Sequence, residues 1–307
     1  MITGTLKPRE EEHFISAERI RKERRKLLIE NVRDFLGRYK RNRAAVLGLA
    51  IVIVGVIVAL FPQLFATHEP FEVGHPQLQP PSRTYFLGTD NLGRDMYSRA
   101  VWGTRAALLV AIGSAGLSAI LGVLLGAASG YYGGALDDLL SRIFEVFMMI
   151  PRFFLILVIV ALFGSSLALV TIMIGITWWP ANARIMRSQV LTLKSRAYVQ
   201  ASGGLGASPW QILAWHIIPN GIYPVITNSA LEMGVAILIE AGLSFLGLGD
   251  PNIVSWGQLI DAGRYYVNLA WWMTFFPGLM MLVLVLAFNL IGDGIAHALN
   301  PRLAERV

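Results

Sequence analysis

From residue 44 onwards, long apolar runs alternate with short polar stretches. Six of these runs approach the roughly 20 apolar residues that are needed to cross a bilayer core. They lie at about residues 44–66, 104–130, 136–163, 166–186, 221–247 and 272–295. A membrane β-barrel would instead show short segments of alternating polarity. The pattern therefore predicts an all-α membrane protein with six transmembrane helices.

The composition agrees with this class and excludes several kinds of chemistry. Charged residues make up 15% of the chain and hydrophobic residues 55%, whereas soluble domains carry about 25% charged residues. There is no cysteine, which excludes disulfides, cysteine-ligated metals and thiol catalysis. The chain also contains no Gly-Lys pair and no H-E-x-x-H motif, so it lacks a phosphate-binding loop and a zinc helix of these types. We expect no catalytic, cofactor-binding or metal-binding residue and predict that the chain is not an enzyme.

Basic residues are concentrated at the start of the chain. Of the 26 lysines and arginines, 13 lie within residues 1–43, where the positive-inside rule places cytoplasmic charge. The net charge of +6 therefore indicates contact with membrane lipid rather than with nucleic acid. Residues 17–43 carry apolar side chains at roughly helical spacing, which predicts an amphipathic helix on the cytoplasmic membrane surface. A solvated charged tail is the alternative interpretation.

A cytoplasmic N-terminus and six spans place the C-terminus in the cytoplasm as well. The predicted organisation is a cytoplasmic basic segment 1–43, a first span 44–66, an extracytoplasmic loop 67–103, a five-helix core 104–296 and a cytoplasmic tail 297–307. Within the core, residues 198–220 face the cytoplasm. The loop 248–271, whose only basic residue is Arg264, faces outward.

Ionisable residues inside predicted spans are candidates for function, because charge is costly in lipid. Glu145, Glu232, Glu240 and Asp293 are of this kind. Arg142 lies three positions before Glu145 and shares a helix face with it. We therefore predict an intramembrane ion pair between Arg142 and Glu145. No chain of carboxylates indicates a proton relay.

Three glycines follow one another at intervals of four in the second predicted span. They are Gly122, Gly126 and Gly130. Small residues at this spacing line one helix face and let a second helix approach closely in lipid. The spacing predicts close helix packing and gives no information about the substrate.

Residues 198–220 form a polar, glycine-rich interruption between apolar runs. Residues 198–206 can form one short helix. Ser208 followed by Pro209 is a start signal for a second helix, which is predicted to run to Ile218. From the residues alone, an ordinary cytoplasmic loop is an equally good interpretation.

The same interruption resembles the cytoplasmic coupling motif of ABC importer permeases, whose short helices fit a cleft on an ATP-hydrolysing subunit. Gln200, Ala201 and Ser202 stand at its Glu-Ala-Ala positions, Gly206 stands at its Gly position, and Ile218-Pro219 closes it. Gln replaces the usual Glu and Ser replaces the second Ala. The residues that the resemblance predicts to couple the chain to an ATPase are Gln200, Ala201, Ser202, Gly206, Ala207, Ser208, Ile218 and Pro219.

Three further stretches are similar to the C-type permease of dipeptide, oligopeptide and nickel importers. They are Phe-Leu-Gly-Thr-Asp-Asn-Leu-Gly-Arg-Asp at 86–95, Glu-Ala-Gly-Leu-Ser-Phe-Leu-Gly-Leu-Gly at 240–249, and Phe-Asn-Leu-Ile-Gly-Asp-Gly at 288–294 with Asn-Pro-Arg at 300–302. The chain has Ala296-His297 where that family usually has Arg-Asp, and Asn300-Pro301 where it has Asp-Pro. The resemblance extends from about residue 36 to residue 304.

This resemblance implies a type I ABC importer permease in the prokaryotic cytoplasmic (inner) membrane. It implies a homologous second permease as heterodimer partner, one or two cytoplasmic ATPase subunits that hold ATP and Mg, and an extracytoplasmic solute-binding protein. The expected solutes are di- and oligopeptides, with oligosaccharides or nickel chelates as alternatives. The expected contacts with the binding protein are Trp256, Arg264, Tyr265 and Tyr266, although aromatic residues in such a loop also anchor in lipid headgroups.

Two other classes of protein fit an apolar chain of this length. An ion-coupled secondary transporter often shows repeated halves and broken helices around midplane charges, and neither pattern is evident in the sequence. An intramembrane enzyme needs a catalytic pair in adjacent spans, and the spans offer no convincing pair.

Overall fold

The computed structural model describes residue 30 and residues 33–299. These residues are helical, without a β-strand. The helices are α1 (33–41), α2 (Arg43–Leu60), α3 (Pro62–Phe65), α4 (Met96–Tyr132), α5 (Gly134–Met149), α6 (Arg152–Phe163), α7 (Leu167–Lys194), α8 (Ala197–Gly204), α9 (Pro209–Ile212), α10 (Ile218–Gly221), α11 (Tyr223–Leu243), α12 (Trp256–Arg264) and α13 (Trp272–Leu299). Two π-helical turns, Leu213–Ile217 and Ser244–Leu248, follow α9 and α11.

Four helices of the described residues are long and apolar enough to cross a membrane. They are α2, α4, α13 and α11 together with its π-helical turn. The pair α5 and α6 passes the same test only as a unit, and it is bent by 80°. The structure thus contains four membrane-spanning candidates, or five if the bent pair is one span, in place of the six predicted.

The run at 136–163 was predicted as one span and is broken into α5 and α6. The break falls at Ile150, whose backbone is extended with φ −79° and ψ 128°, and at Pro151. Proline disfavours the helical conformation of the residue before it and has no N–H for the helical ladder. The bend is therefore encoded by Pro151, and α6 alone, with 12 residues, is too short to cross a bilayer at about 1.5 Å per residue.

The run at 166–186 corresponds to α7, which is long enough to span but less apolar than the four candidates. It has 28 residues and contains Asn182 and several basic residues in its second half. Much of this helix is buried against α4. Asn182 and Arg187 make hydrogen bonds to other helices, so internal contacts accommodate two of the polar residues that make α7 less apolar.

The glycines of α4 are the contact surface for α7, as their spacing predicted. A Cβ added at Gly122 would overlap Asn182, and one added at Gly126 would overlap the backbone of Ala183. At Gly130 it would lie 2.9 Å from the Arg187 carbonyl oxygen. The two backbones can approach this closely only because these positions lack side chains.

Helix α1 packs against the beginning of α2 and the end of α13. The predicted amphipathic helix at 17–43 lies largely outside the described residues, and its last part is α1. Tyr39 of α1 is buried, and its hydroxyl donates to the Ala45 carbonyl at 3.1 Å. Burial raises the pKa of that hydroxyl. Arg38 donates to the Ala298 carbonyl at 3.3 Å, so α1 joins the beginning of α2 to the end of α13.

Buried charges fix the loop that precedes α4. The Asp90 carboxylate accepts from Arg99 at 2.6 Å and from Arg94 at 2.7 Å. It also accepts from the backbone N–H of Leu92 and Arg94 at 2.8 and 2.9 Å. Because every one of these donors lies between residues 92 and 99, the Thr-Asp-Asn-Leu-Gly-Arg-Asp stretch folds on itself and starts α4 at Met96.

Candidate coupling segment

The connection between α7 and α11 consists mainly of residues 198–220, which we call the 198–220 segment. It contains three short helical pieces. The first piece, α8, was predicted at 198–206 and is observed at Ala197–Gly204. It ends where the Leu205 N–H donates to the carbonyls of Ala201 and Gly203. Gly206 then adopts φ +87°, a left-handed conformation that residues with a Cβ rarely adopt. Gly206 therefore sets the direction in which the chain leaves α8.

The second piece begins where the sequence predicted. The Ser208 hydroxyl accepts from the Gln211 N–H at 3.3 Å, and the Gln211 side chain accepts from the Ser208 N–H at 2.8 Å. This reciprocal pair is a capping box, and Pro209 occupies the first helical position. The cap fixes the helix start at Ser208.

The predicted end of this second helix is wrong, because the helix continues past Ile218 into α10. Pro219 has no N–H, and the ladder opens by one residue just before it. The Ile218 N–H donates to the Leu213 carbonyl, which is the wider spacing of a π-helical turn. The helix thus passes Pro219 by widening and ends at Gly221.

One face of the 198–220 segment is held by the helix bundle. Val199, Ile212, Leu213 and Ile217 are buried in an apolar cluster with residues of α4 and α7. Lys194, at the end of α7, donates to the Tyr131 carbonyl at 2.5 Å. The segment therefore has a defined position against the ends of α4 and α7.

The other face carries large apolar side chains that contact little of the chain. Leu205 is 89% exposed, Trp210 64% and Trp215 62%. A groove of about 430 Å³ is lined by residues from the ends of α4 and α7 and from α8 and α9, with Lys194, Ser195 and Gln200 among them. A polar connection that exposes a leucine and two tryptophans is typical of a surface that a partner protein covers.

The structure places the predicted coupling residues on both faces of the segment. Gln200, Ala201, Gly206, Ser208 and Pro219 are exposed. The remaining three, Ser202, Ala207 and Ile218, are partly buried. A partner could therefore contact the five exposed residues directly. The other three offer it only part of their surface.

Of the four residues predicted to contact a binding protein, one is in the core. Trp256 is 3% exposed, and its indole N–H donates to the Ala100 carbonyl at 2.9 Å. We withdraw Trp256 from the predicted contact surface because it anchors α12 to α4. Arg264 and Tyr265 are exposed and Tyr266 is partly buried, so these three stay as predictions.

The predicted Arg142–Glu145 pair forms, but on an exposed helix face. The Arg142 guanidinium donates to the Glu145 carboxylate at 3.0 Å, and the two side chains are 81% and 52% exposed. An exposed pair of this kind contributes little to stability. The pair lies on the surface of α5 and is not buried within this chain, and its location in the membrane stays a prediction.

A tighter ion pair, which the sequence did not reveal, joins α5 to α7. Arg187 donates to both carboxylate oxygens of Asp137 at 2.6 Å, and the Ser129 hydroxyl of α4 donates to the same carboxylate. The partners lie 50 positions apart, so no local spacing could predict the contact. It holds three helices together near the end of α7 from which the 198–220 segment departs.

These features define a polytopic helical membrane protein with a short helical segment that exposes large apolar side chains. Residues 122–305 match the family described as binding-protein-dependent transport system inner membrane component. Residues 31–81 match the N-terminal TM domain of oligopeptide transport permease C. The chain belongs to this family of inner-membrane transport components.

Proteins similar to the chain cover most of its length. The dipeptide transport system permease protein DppC of Alkalihalophilus pseudofirmus is 36% identical over 88% of this chain and 90% of its own length. The oligopeptide transport system permease protein OppC of Bacillus subtilis is 33% identical over 89% of this chain and 90% of its own. The di/tripeptide transport system permease protein DppC of Pseudomonas aeruginosa is 36% identical over 89% and 92%.

Proposed function

We propose that the chain is the permease subunit of an ATP-driven importer and that the 198–220 segment couples it to an ATPase. The observation that supports this most strongly is that one face of the segment packs on α4 and α7 while Leu205 outside that face is 89% exposed. The match at residues 122–305 includes the whole segment. Because one face is packed on α4 and α7, a force applied to the exposed face reaches the bundle.

The full assembly needs more than this chain. In our proposal the chain pairs with a homologous second permease as a heterodimer, in a type I permease fold, and a solute-binding protein delivers the solute from outside. One or two cytoplasmic ATPase subunits bind ATP and Mg. Six spans result if α7 is one span and the bent α5–α6 pair is another, with both termini in the cytoplasm.

The mechanism follows from the position of the segment between α7 and α11. Closure of the ATPase pair around ATP displaces the docked 198–220 segment. The two helices attached to its ends then move with it, and access to a path at the permease interface alternates between the two sides. ATP can drive this change because the ATPase contacts the segment differently in its open and closed states.

Peptides are the solutes that we propose for this transporter. The support is the set of relatives named as dipeptide, di/tripeptide and oligopeptide permeases. Specificity in this arrangement lies largely in the binding protein. Oligosaccharides and nickel chelates are therefore the alternatives within the same machinery.

Uptake by the purified transporter in proteoliposomes tests the proposal. We expect labelled di- and tripeptides to accumulate when ATP, Mg and the binding protein are supplied, and not when ATP is replaced by a proton or sodium gradient. Uptake driven by an ion gradient without ATP would instead support a secondary transporter. Parallel assays with labelled oligosaccharide and with chelated nickel decide between the solute classes.

A Leu205→Ala variant tests the coupling role of the segment. Loss of the exposed side chain should weaken co-purification of the ATPase subunits and lower uptake. Leu139→Ala on α5, which truncates another exposed leucine, is the matched control and should leave both unchanged. Equal behaviour of the two variants would contradict the proposal.

A further inference from the structure

Four polar side chains from three helices meet inside the bundle. They are Ser118 of α4, Asn182 of α7, and Asn228 and Glu232 of α11. Ser118 and Asn182 have no exposed surface, and Glu232 is 8% exposed. The sequence marked Glu232 as an ionisable residue within a span, but it gave no partner for it.

The contacts among these four residues form a closed network. One Glu232 oxygen accepts from the Ser118 hydroxyl at 3.1 Å and from the Asn182 amide at 2.9 Å. The other accepts from the Asn228 amide at 2.9 Å. Asn182 also donates to Ser118 and accepts from Asn228, each at 2.9 Å. Every polar group of Asn182 is therefore used, and both oxygens of Glu232 are bound.

The network takes the place of a salt bridge. Within residues 33–299, no basic side chain lies within 4.0 Å of the Glu232 carboxylate. Its donors are neutral amides and a hydroxyl. A buried polar network whose members are all satisfied gives the surrounding helices one preferred arrangement, because shifting any helix leaves several groups unpaired at once.

The location of the network relates it to the 198–220 segment. Asn182 lies in α7, which ends where that segment begins, and Glu232 lies in α11, which begins where it ends. Pro180, inside α7, removes one backbone hydrogen bond two residues before Asn182. The side-chain bonds thus fix α7 to its neighbours close to the position where its own ladder lacks a bond.

We propose that Ser118, Asn182, Asn228 and Glu232 form a polar clasp that makes α4, α7 and α11 move as one unit when the 198–220 segment is displaced. Glu232 is the positioning residue of the clasp, because it accepts from all three other members. This inference rests on the proposed coupling function. It adds the element that keeps the two helices flanking the segment from moving separately.

The first test uses spin labels, which are convenient because the chain has no native cysteine. One label is placed at Ser188→Cys in α7, six positions after Asn182. The other is placed at Ile226→Cys in α11, six positions before Glu232. Both lie between the clasp and the 198–220 segment along their helices. Both positions are exposed. In the complete transporter, we expect the same label-to-label distance without nucleotide and with ATP trapped by vanadate. In Glu232→Met, which keeps side-chain length but accepts no such bonds, the trapped distance should shift or broaden.

The second test measures peptide taken up per ATP hydrolysed. Glu232→Met should lower this ratio by about tenfold, within the usual range of coupling between sites, while ATP hydrolysis continues. Glu232→Gln keeps the length and one acceptor oxygen and should retain most of the coupling. A near-normal coupling ratio in Glu232→Gln, together with a low ratio in Glu232→Met, would support a positioning role that depends on the acceptor oxygen.

A matched serine pair keeps the test valid if Glu232→Met fails to fold. Ser118 and Ser114 lie one turn apart in α4, and both are fully buried. The Ser114 hydroxyl donates only within its own helix, to the Val110 and Ala111 carbonyls. Ser118→Ala should lower the coupling ratio, whereas Ser114→Ala should not.

The two ideas fail in different ways. An unmodified transporter that takes up no peptide with ATP overturns the proposed function. Normal coupling in the Ser118→Ala and Glu232→Met transporters overturns the clasp, as does a label distance that already changes in the unmodified protein. Reduced coupling in these variants, together with a constant distance in the unmodified protein, supports it.

Discussion

The loop before α4 and the 198–220 segment lie at opposite ends of α4 and are built in opposite ways. With 37 residues, α4 separates them by about 55 Å. At its end, the loop buries the ion pair between Asp90, which is 1% exposed, and Arg99, which is 5% exposed. The segment leaves Leu205, Trp210 and Trp215 outside. One end of the molecule thus pairs a buried carboxylate within the chain, whereas the other exposes large apolar side chains that, in our proposal, a partner covers.

The largest expected loss of stability lies in the loop before α4. Asp90→Asn leaves the buried Arg99 guanidinium without its carboxylate partner, which costs about 3–5 kcal/mol for a buried pair. The apparent melting temperature of the purified permease in detergent measures this loss.

Asp261→Asn is the control for that change. Asp261 pairs with Arg264 at 2.8 Å, and these two side chains are 30% and 44% exposed. Loss of such a pair costs about 1 kcal/mol or less. Similar destabilisation by the two variants would show that the loop owes little to its buried charges.

The next effect concerns the helix that connects the two ends. A Cβ at Gly126 would overlap the Ala183 backbone, whereas one at Gly116 would meet nothing within 4 Å. Gly126→Ala should therefore destabilise by about 1–3 kcal/mol through overpacking. Gly116→Ala in the same helix should be neutral or stabilise by up to about 1 kcal/mol. Thermal unfolding of both variants checks the opposite signs.

Gly206 separates two reasons for a glycine in the 198–220 segment. An added Cβ would meet nothing within 4 Å, so within this chain the glycine serves backbone conformation. Gly206→Ala and Gly206→Leu share the same backbone cost, about 1–2 kcal/mol. We expect ATPase binding and uptake to fall much further with Leu, because in our proposal a partner packs there. Equal losses would assign the glycine to backbone conformation alone.

The smallest effect is expected at the cap of the second helix. Ser208→Ala removes the acceptor for the Gln211 N–H and should destabilise the helix start by about 1 kcal/mol. Faster hydrogen exchange at residues 209–212 would report it. Ser195→Ala, whose hydroxyl bonds only the Thr192 carbonyl of α7, should leave that exchange unchanged.

Much of the fold follows from local sequence signals. The glycine spacing in α4 and the Ser208-Pro209 start each act over a few residues, and the structure contains the features that they predict. The apolar runs predicted six spans, and the described residues contain four candidates, or five with the bent pair. Pro151 is also a local signal, but its consequence was missed because apolar length alone suggested one span. At Pro219 the opposite error occurred: the sequence predicted a helix end at Ile218, but a π-helical turn lets the helix continue.

The candidate site was less accessible from the sequence. The partners of Glu232 lie as far as 114 positions away, and which helix face each one occupies depends on how α4, α7 and α11 cross. Trp256 looked like a loop aromatic, yet it is buried because Gly103 of α4 leaves room for its ring. Such contacts are set by tertiary packing, which single-residue properties do not encode.

Cross-linking from position 205 tests most directly whether the 198–220 segment docks on an ATPase. A photoactivatable label on Leu205→Cys, compared with one on the exposed Leu162→Cys of α6, would be activated in membranes that contain the complete transporter. We predict that the label at 205 forms an adduct with the ATP-hydrolysing subunit and that the label at 162 does not. Adducts with lipid alone at both positions would contradict the coupling role of the segment.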